Sequence, residues 1–353
     1  MTGLLERARL EGTPLVDGER VTFVWQGDKP PWLLSDFGSW EIEQAVQLTA
    51  VAPAVWVYQT DLPRNAFIEY AYIIDPDKAD SNDGRAPDPF NPRAKWNGIN
   101  ATNHYFYMPE AEPTPLVKPT RGAPRGRLLR HKMEPGELAA GARRDLFLYQ
   151  PPVDEPVPLL VVWDGRDYLK QAQLPTIIDN MILNGDIRPL ALAMVDNGRK
   201  NRFLEYGASD ISLGLLTDIV IPLAQKELNL IDVRQQPGAY AILGASMGGL
   251  MALYAGWRLP HIFGHVLAQS GAYAIHQHEF VIYPLVRYQP PPPIQIWLDV
   301  GTYDFLYDTN REMAALLRER GAAVTYEEYV GGHNYYAWRD HLPNGLRLLF
   351  GEE

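Results

Sequence analysis

The sequence predicts two domains of different class: an all-β sandwich over residues 1–120 and an α/β domain with a mostly parallel sheet over 121–353. Three observations lead there. Short runs with period-2 alternation fill the first third of the chain. The stretch "EAEPTPLVKPTRGAPRGR", residues 110–127, is too dense in Pro and Gly for helix or ladder and predicts a linker. Beyond it, nearly continuous apolar runs alternate with amphipathic segments, the pattern of buried strands wound with helices.

The elements follow in order. In "RVTFVWQG" the alternating Val21, Phe23 and Trp25 mark a half-buried strand, and "AVQLTAV", "AVWVYQTDL" and "AFIEYAYIID" continue the set with turn residues between them. The turn-rich "DPDKADSNDGRAPDPFNPRAKWNG" precedes a short "HYFYM" strand. After the linker, "RRDLFLYQP", "PLLVVWDG", "LALAMVDN", "AYAILG", "IQIWLDVG" and "VTYEEYVGG" read as strands. Helices are expected at "TIIDNMILNG", "LGLLTDIVIPLAQKEL", "GLMALYAGWRLP" and "TNREMAALLRERG", the last closed by Gly321, with a further helix at the C-terminus.

Composition excludes several function classes. The formal net charge of −11 argues against nucleic acid and against an anionic membrane surface as partners. The chain has no cysteine, so disulfides, thiolate metal sites and a cysteine nucleophile are excluded together. Glu6, Arg7 and Arg9 interrupt the place where a signal peptide would need its apolar core, and no run approaches the roughly 20 apolar residues of a membrane span. A soluble, cytoplasmic protein is expected. The His276–His278 pair offers no third ligand, so neither metal nor cofactor is expected.

The chemistry concentrates on "LGASMGGLMALYAG", residues 243–256. Gly244 and Gly248 flank Ser246 at the spacing of a nucleophile elbow, with a strand before and a helix after. The bland alternative is a glycine-rich turn that binds phosphate or nothing. A serine nucleophile needs a positioned base, and in this arrangement acid and histidine follow it in chain order. His104 and His131 precede the serine, His261 and His265 lie just past its helix, and His341 lies in the terminal helix. His333, in "VGGHNYYAW" directly after the last strand, is the candidate base. Three acids follow the penultimate strand region: Asp299 inside the strand, Asp304 in the loop beyond, and Asp308 near a helix N-cap with Thr309. Asp304 is the candidate acid, with Asp308 as the fallback.

An oxyanion pocket would draw on the backbone N–H of Met247 and on Gly165 or Arg166, in the loop after "LLVVW". Arg199, Lys200 and Arg202 form a basic spot in an acidic chain, suited to an anionic substrate. The alternative is a local Arg202–Glu205 pair. Trp163, Tyr335, Tyr336 and Trp338 are candidates to line a substrate pocket or to fill the core.

With these residues in place, the second domain resembles the esterase group of the α/β-hydrolase superfamily that includes enterochelin (ferric-siderophore) esterases, feruloyl esterases and S-formylglutathione hydrolase. The matching pieces are "LLVVWDGRDYL", "NRFLEY", "GASMGG", "LAQSGAY", "DVGTYDFLYDTNREMAALLRERG" and "YEEYVGGHNYYAWRDHL", in the family's order over about 128–350. The first third, through "VTFVWQG", "SDFGSW", "DLPRNAFIEYAYIID" and "PDPFNPR", is similar to the immunoglobulin-like N-terminal domain of the enterochelin esterases. "SDFGSW" is also similar to a glycogen-binding early-set module. The resemblance implies a serine esterase with Ser246 as nucleophile, His333 as base and Asp304 as acid, a dispensable acid being the variant found among Ser–His dyads. It implies a small-molecule ester as substrate, a siderophore lactone among the candidates, and leaves room for a homodimer. The alternatives are a feruloyl- or acetyl-type polysaccharide esterase whose N-terminal domain docks glycan through Trp32, Trp40 and Trp96, and a non-catalytic binding protein of the same fold.

Overall fold

The structure, a computed structural model, describes residues 2–351 except 39, 98–100, 135, 139–142 and 277. Ser39 of "SDFGSW" and Gly98, which closes the turn-rich stretch, therefore lie outside the described residues. The chain divides into two compact units. One comprises Met1–Pro113 with Gly301–Phe305 and Tyr329–Ala337; the other comprises Thr114–Val300, Leu306–Glu328 and Trp338–Glu353.

The larger unit is built on an eight-stranded sheet. Its strands are β1 (Arg127–Met133), β2 (Arg144–Gln150), β3 (Leu159–Val162), β4 (Ala191–Val195), β5 (Tyr240–Ala245), β6 (Phe263–Gln269), β7 (Gln295–Gly301) and β8 (Ala323–Tyr329). They stand in the order β1-β2-β4-β3-β5-β6-β7-β8. β3 pairs parallel with β4 and β5, and β6 pairs parallel with β5 and β7, whereas β2 runs antiparallel to both β1 and β4. Every residue of β3, β4 and β5 is buried, which is why these runs lack alternation: helices cover both faces of a parallel sheet. Helices Leu174–Leu183, Met247–Arg258 and Tyr307–Glu319 fall where their periodicity predicts. The expected long helix runs from Asp210 to Glu227, with a π-helical turn over Leu216–Val220 just before Pro222, whose missing N–H cannot continue the ordinary ladder.

The smaller unit contains two antiparallel sheets. One orders Leu15–Asp17, Arg20–Gln26, Val55–Asp61 and Thr49–Ala52; the other orders Val46–Gln47, Trp32–Ser35, Phe67–Ile73, Thr102–Tyr107 and Ala94–Trp96. Phe23, Leu33, Ile68, Tyr70, Tyr72 and Phe106 form its core. Strand Phe67–Ile73 is central and buried along its whole length, Glu69 included. A helix over Thr2–Glu11, which the sequence pattern did not announce, seats Ala8 against Leu15, Val24 and Val55.

Two boundaries differ from expectation. The proline-rich stretch is no free linker. Thr114 donates its N–H to Asp340 Oδ1 (3.0 Å), and Asn180 Nδ2 donates to the carbonyls of Leu116 (2.6 Å) and Lys118 (3.0 Å), so the chain joins the larger unit from residue 114 rather than 121. Second, the loops after β7 and β8 group with the smaller unit. Tyr303 and Val330 pack on its core, and Phe67 donates its N–H to Val330 O at 3.0 Å. Such pairings between distant segments leave no local mark in a sequence. Among the described residues, no single helix is long and apolar enough to cross a membrane.

Candidate active site

Ser246 sits between β5 and helix Met247–Arg258 with φ 59° and ψ −124°, a conformation that a residue with a Cβ adopts only when its surroundings impose it. Three backbone hydrogen bonds impose it here. The Ser246 N–H donates to Gln269 O (2.9 Å), and its carbonyl accepts from Leu250 (3.1 Å) and Ala272 (2.9 Å). Strand and helix close so tightly that a Cβ on Gly244 would run into the Gly248 backbone. Gly244→Ala is therefore expected to destabilise the protein by about 1–3 kcal/mol and to distort the turn. A lowered melting temperature together with lost activity checks this.

Asp304 and His333 come together. His333 Nδ1 lies 2.8 Å and 3.0 Å from the two carboxylate oxygens of Asp304, whose side chain is fully covered while that of His333 is 9% exposed. Their loops are tied to one another. Thr302 donates its N–H to Tyr329 O (2.8 Å), Tyr303 to Gly331 O (3.0 Å), and Asp304 to Gly301 O (3.0 Å). The exposed ring of Phe305 lies 4.6 Å from the imidazole. With Asp304 ionised, Nδ1 carries the proton and Nε2 is left as the basic nitrogen. The other two acids point elsewhere. Asp299 is buried within β7, where its Oδ2 accepts from Gln269 Nε2 at 2.9 Å, and Asp308 is exposed in the first turn of helix Tyr307–Glu319. Ser246 belongs to the larger unit, Asp304 and His333 to segments grouped with the smaller one.

The loop after β3 turns at Asp164, a left-handed residue (φ 54°, ψ 41°), into the short helix Gly165–Lys170. The backbone N–H groups of Gly165 and Arg166 thus fall in a first helical turn, as does that of Met247 beside Ser246. The Asp164 carboxylate is almost fully buried and accepts Arg202 Nε (2.8 Å) and Nη2 (2.6 Å), with Asn197 Nδ2 at 2.7 Å. Arg202 Nη2 also reaches Ala245 O at 3.3 Å, so one guanidinium joins this loop to the elbow. The Arg202 fork thus faces Asp164 rather than Glu205, the local partner considered as an alternative. Glu205 instead accepts both Nη atoms of buried Arg144, at 2.8 Å and 2.6 Å. Arg202 was expected to face substrate, but its planar fork matches a carboxylate and is turned to Asp164. The Arg166 guanidinium likewise turns to Asp196 and Asp145.

Burial, and after it the neighbouring charge of Asp164, pushes the Asp167 carboxyl from its ordinary 3.8 to about 6. Between these values the native state holds a proton that the unfolded chain has released, so stability falls as pH rises from about 4 to 6. Asp167→Asn removes that loss. The variant is expected to match the parent near pH 4 and to exceed it by about 1–3 kcal/mol at pH 7, read from denaturant midpoints at the two pH values.

Three residues expected to line a substrate pocket are core instead. Trp163 is fully buried with its ring 5.0 Å from Tyr206. Tyr335 is buried, and so is Trp338, whose Nε1 donates to Ser270 Oγ at 2.9 Å. Large aromatic surfaces beside a sheet are worth more in packing than in solvent. Of the tryptophans considered for a glycan platform, Trp40 turns its Nε1 to Asp36 (2.8 Å) and Trp96 is half-exposed.

Comparison with known proteins gives consistent results. The family described as "Putative esterase" matches residues 139–349. An iron(III) enterobactin esterase of Dickeya dadantii is 28% identical over 232 residues, 60% of this chain and 53% of the relative. An iron(III) salmochelin esterase of Escherichia coli O6:H1 is 27% identical over 240 residues, 61% of this chain and 56% of the relative. The chain thus matches little more than half the length of these curated relatives. Among solved structures, the enterobactin esterase from Shigella flexneri in the presence of enterobactin superposes with a TM-score of 0.78. It is 21% identical and covers 94% of this chain and 92% of its own, a likeness of fold.

Proposed function

Because the chain belongs to the Putative esterase family, we propose that it is a serine carboxylic-ester hydrolase working through an acyl-enzyme on Ser246. The observation that carries this is the hydrogen bond between His333 Nδ1 and the buried Asp304 carboxylate, on loops that follow the serine in the order acid, then base. In this mechanism His333 Nε2 takes the Ser246 Oγ proton as Oγ attacks the ester carbonyl. The oxyanion is met by the N–H of Met247 with that of Gly165 or Arg166, and the imidazolium then protonates the leaving alcohol. Water, deprotonated by the same nitrogen, releases the acid and frees Ser246. Asp304 holds the imidazole in the productive tautomer and steadies its positive charge.

The two antiparallel sheets are taken as an immunoglobulin-like domain, and the eight-stranded sheet as the α/β-hydrolase domain. For substrate, the names of the relatives support an iron-siderophore lactone. A cytoplasmic place of action is in keeping with a chain that contains no cysteine. Hydrolysis of an enterobactin-type trilactone, with and without iron, is expected to proceed with a higher kcat/KM than that of p-nitrophenyl butyrate. Turnover of the aryl ester with none of any trilactone would overturn the siderophore assignment and leave the esterase chemistry standing.

A further inference from the structure

The loop that carries His333 rests on charged groups buried within the smaller unit. Asp36, from "SDFGSW", is 2% exposed; its Oδ1 accepts Trp40 Nε1–H at 2.8 Å and its Oδ2 accepts the Glu69 backbone N–H at 2.7 Å. The backbone of Gly332, next to His333, lies so close to this carboxylate that a Cβ there would collide with it. Beyond the histidine, the ring of Tyr336 is held from its face by Lys95, whose Nζ lies 3.7 Å from the ring centroid. The same Nζ lies 2.6 Å from Glu69 Oε1, with the Lys95 and Glu69 side chains 7% and 2% exposed. Asn103 Nδ2 donates to Glu69 Oε2 at 2.7 Å. Phe67, two residues before Glu69 on the same strand, gives its N–H to Val330 O.

Residues 330, 332 and 336 are thus held by the segments around 67, 36 and 95 respectively, and His333 lies between the second and third of these holds. A buried ion pair is a poor source of stability, because desolvation offsets most of the attraction and an apolar pair of like volume packs as well. Burial, with the charge of Glu69 second, pushes the Asp36 carboxyl well above its usual range, a further sign that the cluster is costly to keep. What polar groups provide and apolar groups do not is direction: a carboxyl fixed by its own donors against Gly332, and a fixed cation on the face of Tyr336.

We propose that Asp36, Glu69 and Lys95 are positioning residues of the esterase reaction: they set the 330–336 loop so that His333 presents Nε2 to the nucleophile. The N-terminal sheets are then part of the catalytic apparatus. The assignment rests on His333 being the general base, and the test separates the two. Lys95→Met combined with Glu69→Gln removes both charges of the pair, so neither partner is left as an unpaired buried ion. Its kcat for p-nitrophenyl butyrate is expected to fall about 10- to 100-fold, the scale of a displaced catalytic group, with KM within about twofold. Lys95→Arg is expected to retain most of the rate. In the His333→Ala background the double substitution is expected to cause no further loss, because residues that act through one group are not additive. A folded double variant with parental kcat overturns the proposal, as does a double substitution that lowers the residual His333→Ala rate by its full factor. Should the double variant not fold, Asp36→Asn, which sets an amide donor against Trp40 or Glu69 N–H, is read by the same criteria. Parental kcat in His333→Ala itself would instead overturn the base assignment, and the positioning role with it.

Discussion

Ser246→Ala is expected to lower kcat by about 10⁴- to 10⁶-fold while the protein stays folded, the range set by knockouts in serine hydrolases. The fold should survive because the bonds that impose φ 59° at this position are all backbone bonds, to Gln269, Leu250 and Ala272, and alanine keeps them. In the proposed mechanism the side chain contributes only the Oγ that attacks. Residual turnover above water should persist, since the N–H groups of Met247 and of the Gly165 turn remain to meet an oxyanion. The comparison requires steady-state kinetics on one activated ester and a melting curve for both proteins. A loss of activity with a matching loss of stability would instead identify Ser246 as a structural residue.

Asp304→Asn is expected to cost about 10⁴-fold in kcat with little change in KM or stability. The carboxylate accepts from His333 Nδ1 at 2.8 Å. An amide of the same shape can offer its NH₂ to that nitrogen instead, which leaves the proton on Nε2 and turns the base into a donor. Geometry is kept and the tautomer is wrong. Asp308→Asn, at an exposed position in the next helix, is expected to leave kcat unchanged. If the two variants behave alike, the acid has been misassigned or is dispensable.

The parts of this molecule that local chemistry dictates were legible in the sequence. Runs such as "LLVV", "ALAMV" and "YAILGA" are apolar throughout because helices cover both faces of their sheet, and their positions emerged accordingly. The elbow was legible because its glycines answer a steric need within five residues. Asp304 and His333 followed from their place at strand ends, and the structure brings them within hydrogen-bonding distance.

Other features depend on partners far away in the chain. Trp163, Tyr335 and Trp338 resemble pocket residues until the core around them is seen. Arg202 looked free for a substrate because its partner, Asp164, lies 38 residues upstream across the sheet. Glu69 interrupts an otherwise apolar strand, and Lys95 lies within a turn-rich stretch. Only their meeting, from positions 69 and 95, explains either charge. A lone ionisable residue in the middle of an apolar strand was the one available signal, and it identifies a question rather than a partner.

If an acyl group is carried on Ser246, a reagent that traps nucleophilic serines will form its adduct there. The protein is incubated with a fluorophosphonate, and the adduct is located by mass spectrometry of the intact chain and its peptides. One adduct per chain is expected, on the peptide containing Ser246, with hydrolysis of p-nitrophenyl butyrate lost in step with labelling and no labelling of Ser246→Ala. An adduct on another residue that tracks the loss of activity, or full activity in a protein already labelled at Ser246, would rule out Ser246 as the nucleophile.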